Sequence, residues 1–307
     1  MVYLEMRTLL VCKQLEGHSE PITSLALNNN NLLATGSVDK TIKLWNTATG
    51  ALVNTLKSHL HHVNKVAFNE DTLLASGSLD KTVNLWNTTT GALLHTLTGH
   101  LFEVQCVAFS KSGILATGSV DGEVKLWSTG TGALVATLED HSDGVYAVAF
   151  SGTNLMATGS WDTTAKLWNT ETGLVIYTLK GHSKPVNSVA FKKDNLLLAS
   201  GSNDATVKFW DVSTGSLIKT LEHDPFTVYA VAFSKSNLLA TGSDSRQVKL
   251  WNADTGGLIE SLDGHSGHIH TVAFSENGVL VSGSLDGTVK LWNAVSGEVI
   301  SSWCWCL

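Results

Sequence analysis

Charge is scarce in this sequence. Asp, Glu, Lys and Arg make up 15% of the 307 residues, against roughly 25% in a typical soluble domain, and the balance is negative, −7 at neutral pH. A chain without a basic excess lacks the electrostatic footprint for nucleic acid or an anionic membrane surface. Cysteine is sparse as well: Cys12, Cys106, Cys304 and Cys306. No pair is spaced as Cys-x-x-Cys, and Cys304-Trp305-Cys306 is too tight for a zinc knuckle. We therefore expect neither a disulfide framework nor a structural metal, and a reducing compartment. No run of 18 apolar residues is there to span a bilayer, and Met1-Val2-Tyr3-Leu4-Glu5-Met6-Arg7 lacks the basic-then-apolar layout of a secretory signal. These absences lead us to expect a soluble, cytoplasmic chain with no membrane insertion and no nucleic-acid partner.

Catalytic motifs are missing too. The sequence holds no Gly-Lys pair and hence no P-loop, no His-Glu-x-x-His and no Gly-x-Ser-x-Gly. The expectation is a non-enzymatic protein with no catalytic residue, no cofactor and no metal site.

What is present is repetition. A Leu-Trp or Phe-Trp pair ends at Trp45, Trp86, Trp127, Trp168, Trp210, Trp251 and Trp292, at intervals of 41 or 42. His18, His59, His100, His141, His182, His223 and His265 follow the same period, as do Gly36, Gly77, Gly118, Gly159, Gly201, Gly242 and Gly283. Each unit reads alike: a His-led turn, an apolar run such as Val145–Phe150, then a Leu-Leu-Ala-Thr-Gly-Ser run, a tight Asp turn, a Thr-Ile-Lys-Leu-Trp run, a Gly turn and a last apolar run. β-Branched and aromatic residues between short turns give four strands per unit. Four strands in about 40 residues, seven times over, predict an all-β, seven-bladed β-propeller of four-stranded antiparallel blades. The units run about 16–56, 57–97, 98–138, 139–179, 180–221, 222–262 and 263–303. Both residues 9–15 and residues 298–303 fit the outermost-strand template. Because the first would tie blade one to blade seven, residues 9–15 are expected to close the ring beside Thr288–Trp292, with 304–307 as an off-template tail. The spare strand points to a ring cut from a longer, multi-domain array.

With its Gly-His, Ser-x-Asp and Trp-Asn/Asp landmarks, the chain resembles the WD-repeat propellers over nearly its whole length, although only Trp210-Asp211 carries the literal pair. Its near-identical units are most similar to the arrays of fungal NACHT-type receptor proteins. The resemblance implies one hydrogen-bonded network per blade, made of His, a strand Ser/Thr, the turn Asp and the Trp. Here these are the His and Trp series above with Thr35, Ser76, Thr117, Thr158, Ser200, Thr241 and Ser282, and with Asp39, Asp80, Asp121, Asp162, Asp204 and Asp286. A buried indole N–H needs an acceptor and a buried carboxylate needs donors, so the set is physically consistent. In the sixth unit Ser245 takes the place of the Asp, and the network there is expected to be incomplete. The recurring Lys43, Lys125, Lys166, Lys208, Lys249 and Lys290 are read as a solvated position.

In such a scaffold the template builds the blades, and residues off the template carry specificity. The resemblance puts partners on the narrow top face, at the two residues flanking the first apolar residue of each innermost strand and the one before the turn Asp. These positions hold Trp161, Tyr146, Tyr229, Gln105, Asn64, His62, His268, His270, Leu79, Leu285 and Val38, with Phe102 beside them. Aromatics that build no blade are typical interface anchors. The expected function is a protein- or peptide-binding scaffold, monomeric as a ring. The alternatives are the sensor end of a larger NACHT-type NTPase receptor and an adaptor in an organelle-division or signalling complex.

Overall fold

The computed structural model describes residues 13–14, 17–28, 30–69, 72–152, 154–223, 225–275 and 277–304, without side chains at 13–14 and 303–304. Seven antiparallel sheets follow one another along the chain, spanning 22–57, 63–97, 104–139, 145–179, 186–222, 228–262 and 269–304. Blade 1 shows the pattern: Ile22–Leu27 innermost, then Leu32–Ser37, Thr41–Asn46 and Leu52–Lys57 outermost.

The second strand of every blade is buried at five of its six positions, because neighbouring blades cover both its faces. That burial explains the glycine series. A Cβ on Gly36 would stand 2.8 Å from Val63 Cγ1 of the next blade, one on Gly118 2.7 Å from Val145 Cγ1, and one on Gly283 2.9 Å from Leu25 Cδ2 of blade 1. The inner strand of one blade thus presses on the glycine of the blade before it, all the way round. Seven apolar clusters result, one at each seam. Trp45 and Leu33 pack with Val281 and Val289 of blade 7, and Trp86 with Ile42 and Leu44 of blade 1.

Two sequence expectations are corrected. Val299–Cys304 itself pairs antiparallel with Thr288–Asn293 and is the fourth strand of blade 7, so Cys304 belongs to the blade. Lys13–Gln14 adds outside it, parallel, with Lys13 opposite Trp303 and Gln14 opposite Cys304; residues 9–12 and 15 of the expected closing strand, and 305–307 of the tail, lie outside the described residues. The physical reason is the loop. Val299 follows Trp292 through the same tight turn as in the other blades, with Gly297 N–H donating to Asn293 O at 2.8 Å and Asn293 N–H to Glu298 O at 2.8 Å. Closing so short a loop costs less entropy than recruiting the far end of the chain.

The lysine series is the second correction. Lys125 and Lys166 are only 6% exposed. Lys43, Lys125, Lys208 and Lys290 each donate from Nζ to a Thr or Ser hydroxyl on the outermost strand, at 2.8–3.1 Å. The aliphatic stems lie in the blade and only the ammonium seeks a partner.

Two outcomes follow. Trp127→Ala, emptying the seam between blades 2 and 3, should cost roughly 3–5 kcal/mol in denaturant melts; a loss below about 1 kcal/mol would place this indole outside the core. Deleting residues 298–307 should lower the melting temperature markedly, because it bares the edge of Thr288–Asn293; an unchanged melting temperature would return ring closure to the N-terminal segment.

Candidate functional site

The Asp turns and the His-led loops gather at one end of the blades. In blade 1, Trp45 Nε1 donates to Thr35 Oγ1 at 2.9 Å, the hydroxyl lies 2.8 Å from His18 Nε2, and His18 Nδ1 lies 2.7 Å from Asp39 Oδ2. Blades 2, 4, 5 and 7 repeat the arrangement, with His–Asp distances of 2.9, 2.6, 2.8 and 3.0 Å. Burial tends to raise the pKa of Asp39, but hydrogen bonds from His18 and Thr41 outweigh it and hold the carboxyl far below its usual range. Asp80, Asp162, Asp204 and Asp286 are held down by their own His and Thr partners in the same way.

Blades 3 and 6 depart from this. In blade 3 His100 Nε2 keeps its bond to Thr117 at 2.7 Å, but Nδ1 is 3.9 Å from Asp121 Oδ2; burial pushes the imidazole down to about 4. In blade 6 His223 Nε2 lies 2.6 Å from Thr241 Oγ1, and Nδ1 meets no partner among the described residues, since Ser245 replaces the carboxylate. Burial, helped by Lys249, pushes His223 down to about 3.

At the same end, around the central axis, is a cavity of about 330 Å³. It brings together six of the residues singled out in the sequence: Asn64, Gln105, Tyr146, Trp161, Tyr229 and His270. Trp161 stacks on Tyr146 with ring centres 4.6 Å apart and planes 9° apart, so one indole face is covered while the residue stays 44% exposed. Tyr229 stacks on His270 at 4.3 Å and 13°. Burial and the neighbouring Asp244 carboxylate push the Tyr229 phenol up to about 12, and Asp244 Oδ1 lies 3.0 Å from His268 Nδ1. Asn64 and Asn187 donate from Nδ2 to the carbonyls of Val104 and Val228 in the following blades, at 2.9 and 3.0 Å. Phe102, half-exposed under the Lys81 ammonium at 5.7 Å, stands outside the cavity, as do His62, His268, Leu79, Leu285 and Val38.

Sequence reasoning missed Lys65. It lines this cavity and a second one of about 180 Å³ deeper in the channel, and no other Lys, Arg, Asp or Glu lines either. Its counterparts two residues into the inner strands are Ser24, Cys106, Ala147, Ser188, Ala230 and Thr271; a lone charge among small neutral residues was the available signal. Burial lowers the Lys65 pKa and pushes the neighbouring Cys106 thiol up to about 12. A larger groove of about 410 Å³ lies at the other end of blades 6 and 7, lined largely by turn residues such as Asn277 and Asn293.

The WD domain, G-beta repeat family matches residues 10–46, 50–87, 91–128, 132–169, 173–211, 215–252 and 256–293, one match per blade. The chain belongs to this family. WD40 propellers are typically protein-interaction scaffolds and generally non-catalytic. Among curated proteins, human dynein assembly factor with WD repeat domains 1 is 45% identical over 51 residues, 16% of this chain and 12% of that protein. Mitochondrial division protein 1 of Schizosaccharomyces pombe is 43% identical over 42 residues, 14% of this chain and 6% of that protein. Each likeness spans little more than one WD repeat. No helix among the described residues is long and apolar enough to cross a membrane.

The bare His223 gives a test. Its proton affinity is depressed from 6.5 on folding, so between about pH 6.5 and 3 the unfolded chain binds a proton that the folded chain refuses. Stability therefore falls as the pH drops through that window. Ser245→Asp restores the partner carboxylate. We expect a gain of about 1 kcal/mol at pH 7 and a shallower loss between pH 6.5 and 4, read from melts across that range; an unchanged slope would show that His223 does not control it.

Proposed function

We propose that this propeller is a non-enzymatic docking platform that holds a peptide segment of a partner protein across the mouth of its central channel. One observation carries the reading. The mouth is lined by two stacked pairs that belong to none of the seven apolar clusters, Tyr146–Trp161 within blade 4 and Tyr229–His270 across blades 6 and 7, and Trp161 leaves an aromatic face open to solvent. A rigid, half-covered aromatic beside polar amides is how interface hot spots are built, since little side-chain entropy remains to be lost on binding. Phe102 and Leu285, outside the cavity, are exposed apolar side chains as well.

Within this reading the chain serves as the sensor propeller of a larger NACHT-type receptor or as an adaptor. The likeness to mitochondrial division protein 1 is in keeping with the organelle-division form of the second. A likeness one repeat long is common ground for WD propellers, so the bound peptide decides between them.

The test is a peptide library selected on the wild-type ring. Selected peptides should lose at least about 2 kcal/mol, roughly thirtyfold in affinity, on Trp161→Ala, while the melting temperature stays within a degree or two. Unchanged peptide affinity, with a melting temperature that collapses as for a seam tryptophan, would make Trp161 a structural residue and end the proposal.

A further inference from the structure

In five blades the second residue after the turn Asp is a threonine: Thr41, Thr82, Thr164, Thr206 and Thr288. Its hydroxyl donates to the Asp Oδ1 at 2.6–2.7 Å. In blade 3 that place is taken by Glu123, which brings a second carboxylate to the pair His100–Asp121. The consequences are local and specific. Asp121 Oδ1 still accepts the Glu123 backbone N–H at 2.9 Å, while Oδ2 is left without a hydrogen bond among the described residues. The His100 side chain is only 1% exposed, and its Nδ1 is likewise unpartnered. His100 Nδ1 and one carboxylate oxygen each of Asp121 and Glu123 lie within 4.8 Å of one another.

We propose that His100, Asp121 and Glu123 form a binding site for a divalent transition-metal ion of the zinc class. The donor set decides the class. One imidazole nitrogen with two carboxylate oxygens suits Zn²⁺ and its neighbours better than Mg²⁺ or Ca²⁺, which prefer oxygen alone. Three protein ligands leave the fourth tetrahedral position to water, and Glu123, a quarter exposed, opens the site to solvent. The imidazole is already oriented. Its Nε2 bonds to Thr117 Oγ1 at 2.7 Å, the outer partner that metal-binding histidines usually have. Metal–ligand bonds of about 2.1 Å put tetrahedral donors about 3.4 Å apart, so the carboxylates must draw in by rotation. Lys125 is the competitor: its Nζ lies 2.7 Å from Glu123 Oε2 and also donates to Thr137 Oγ1 at 3.1 Å. When the ion enters, Lys125 gives up Glu123 and keeps Thr137, which makes the site weaker than a dedicated one. None of the three ligands lines the mouth cavity, so the site stands independently of the proposed docking function.

The decisive variant is Glu123→Thr, which removes a ligand and restores the residue that five other blades carry, so the fold is preserved by design. Cobalt(II) titrated into the wild-type ring should give the visible absorption of a tetrahedral N/O site, and Zn²⁺ should displace it. Zn²⁺ should also raise the wild-type melting temperature. In Glu123→Thr the cobalt affinity should fall at least about tenfold and the Zn²⁺ shift should vanish, while the metal-free variant melts no lower than wild type. The other histidines and cysteines are common to both proteins, so the difference spectrum isolates this site. No cobalt spectrum in the wild type, or equal binding in Glu123→Thr, would overturn the proposal.

Discussion

The structure turns on one hydroxyl per blade. Thr35 Oγ1 and its six counterparts each accept the indole N–H of the seam tryptophan, at 2.8–3.0 Å, and touch the histidine Nε2, at 2.6–2.8 Å. A tryptophan nearly sealed from water could not keep a bare N–H there without a penalty on the order of 1–3 kcal/mol. The hydroxyl sits one residue before the glycine on which the next blade presses. Polar satisfaction and blade-to-blade contact are therefore fixed by neighbouring atoms of the same strand. Strand two cannot slip by a residue without unpairing the indole and pushing a Cβ into the valine of the next blade.

That coupling explains how much of the molecule was legible in advance. The Trp, His and Gly series repeat because each is one side of a seam that recurs seven times, and any one of them yields the blade count. The turn residue after Trp was equally readable in kind. Asn46 Oδ1 accepts the N–H groups of Ala48 and Thr49, and Asp211 Oδ1 those of Ser213 and Thr214, all at 2.8–3.0 Å, so Asn replaces the eponymous Asp without loss. Three things were hidden. The lysines two places before Trp look solvated in sequence because a charge suggests water, yet their stems lie in the blade. The closing strand was a choice between two segments that both fit the template; a tie between first and last blade favoured residues 9–15, and the short loop after Trp292 outweighs it. Lys65 occupies a template position that is small elsewhere, and its place in the channel becomes visible only once seven inner strands are arranged around one axis.

The departures from the template are not scattered evenly. Blades 3 and 6 alone lack the tight His–Asp contact, and in each a changed residue near the turn is responsible. Glu123 adds a carboxylate beside Asp121; Ser245 removes one from beside His223. Neither blade loses its seam, because Trp127 and Trp251 keep their bonds to Thr117 and Thr241 at 2.9 and 3.0 Å. The network thus has two parts of unequal importance. The inner part, indole to hydroxyl to Nε2, holds the blade. The outer part, Nδ1 to carboxylate, anchors the turn and tolerates change.

Blade 6 shows what such tolerance allows. Its turn reads Asp244-Ser245 where blade 1 has Val38-Asp39, so the acidic residue stands one place earlier along the chain. At the template position the carboxylate would have faced His223. At 244 it stands beside Tyr229 instead, with its Oδ1 3.0 Å from His268 Nδ1 of blade 7. Tyr229 in turn stacks on His270. A one-residue displacement of charge has left His223 Nδ1 bare among the described residues and paired the carboxylate with a histidine of the next blade. The displaced carboxylate thus joins blade 6 to blade 7 beside the turn, while the indole–hydroxyl–Nε2 chain of blade 6 stays intact.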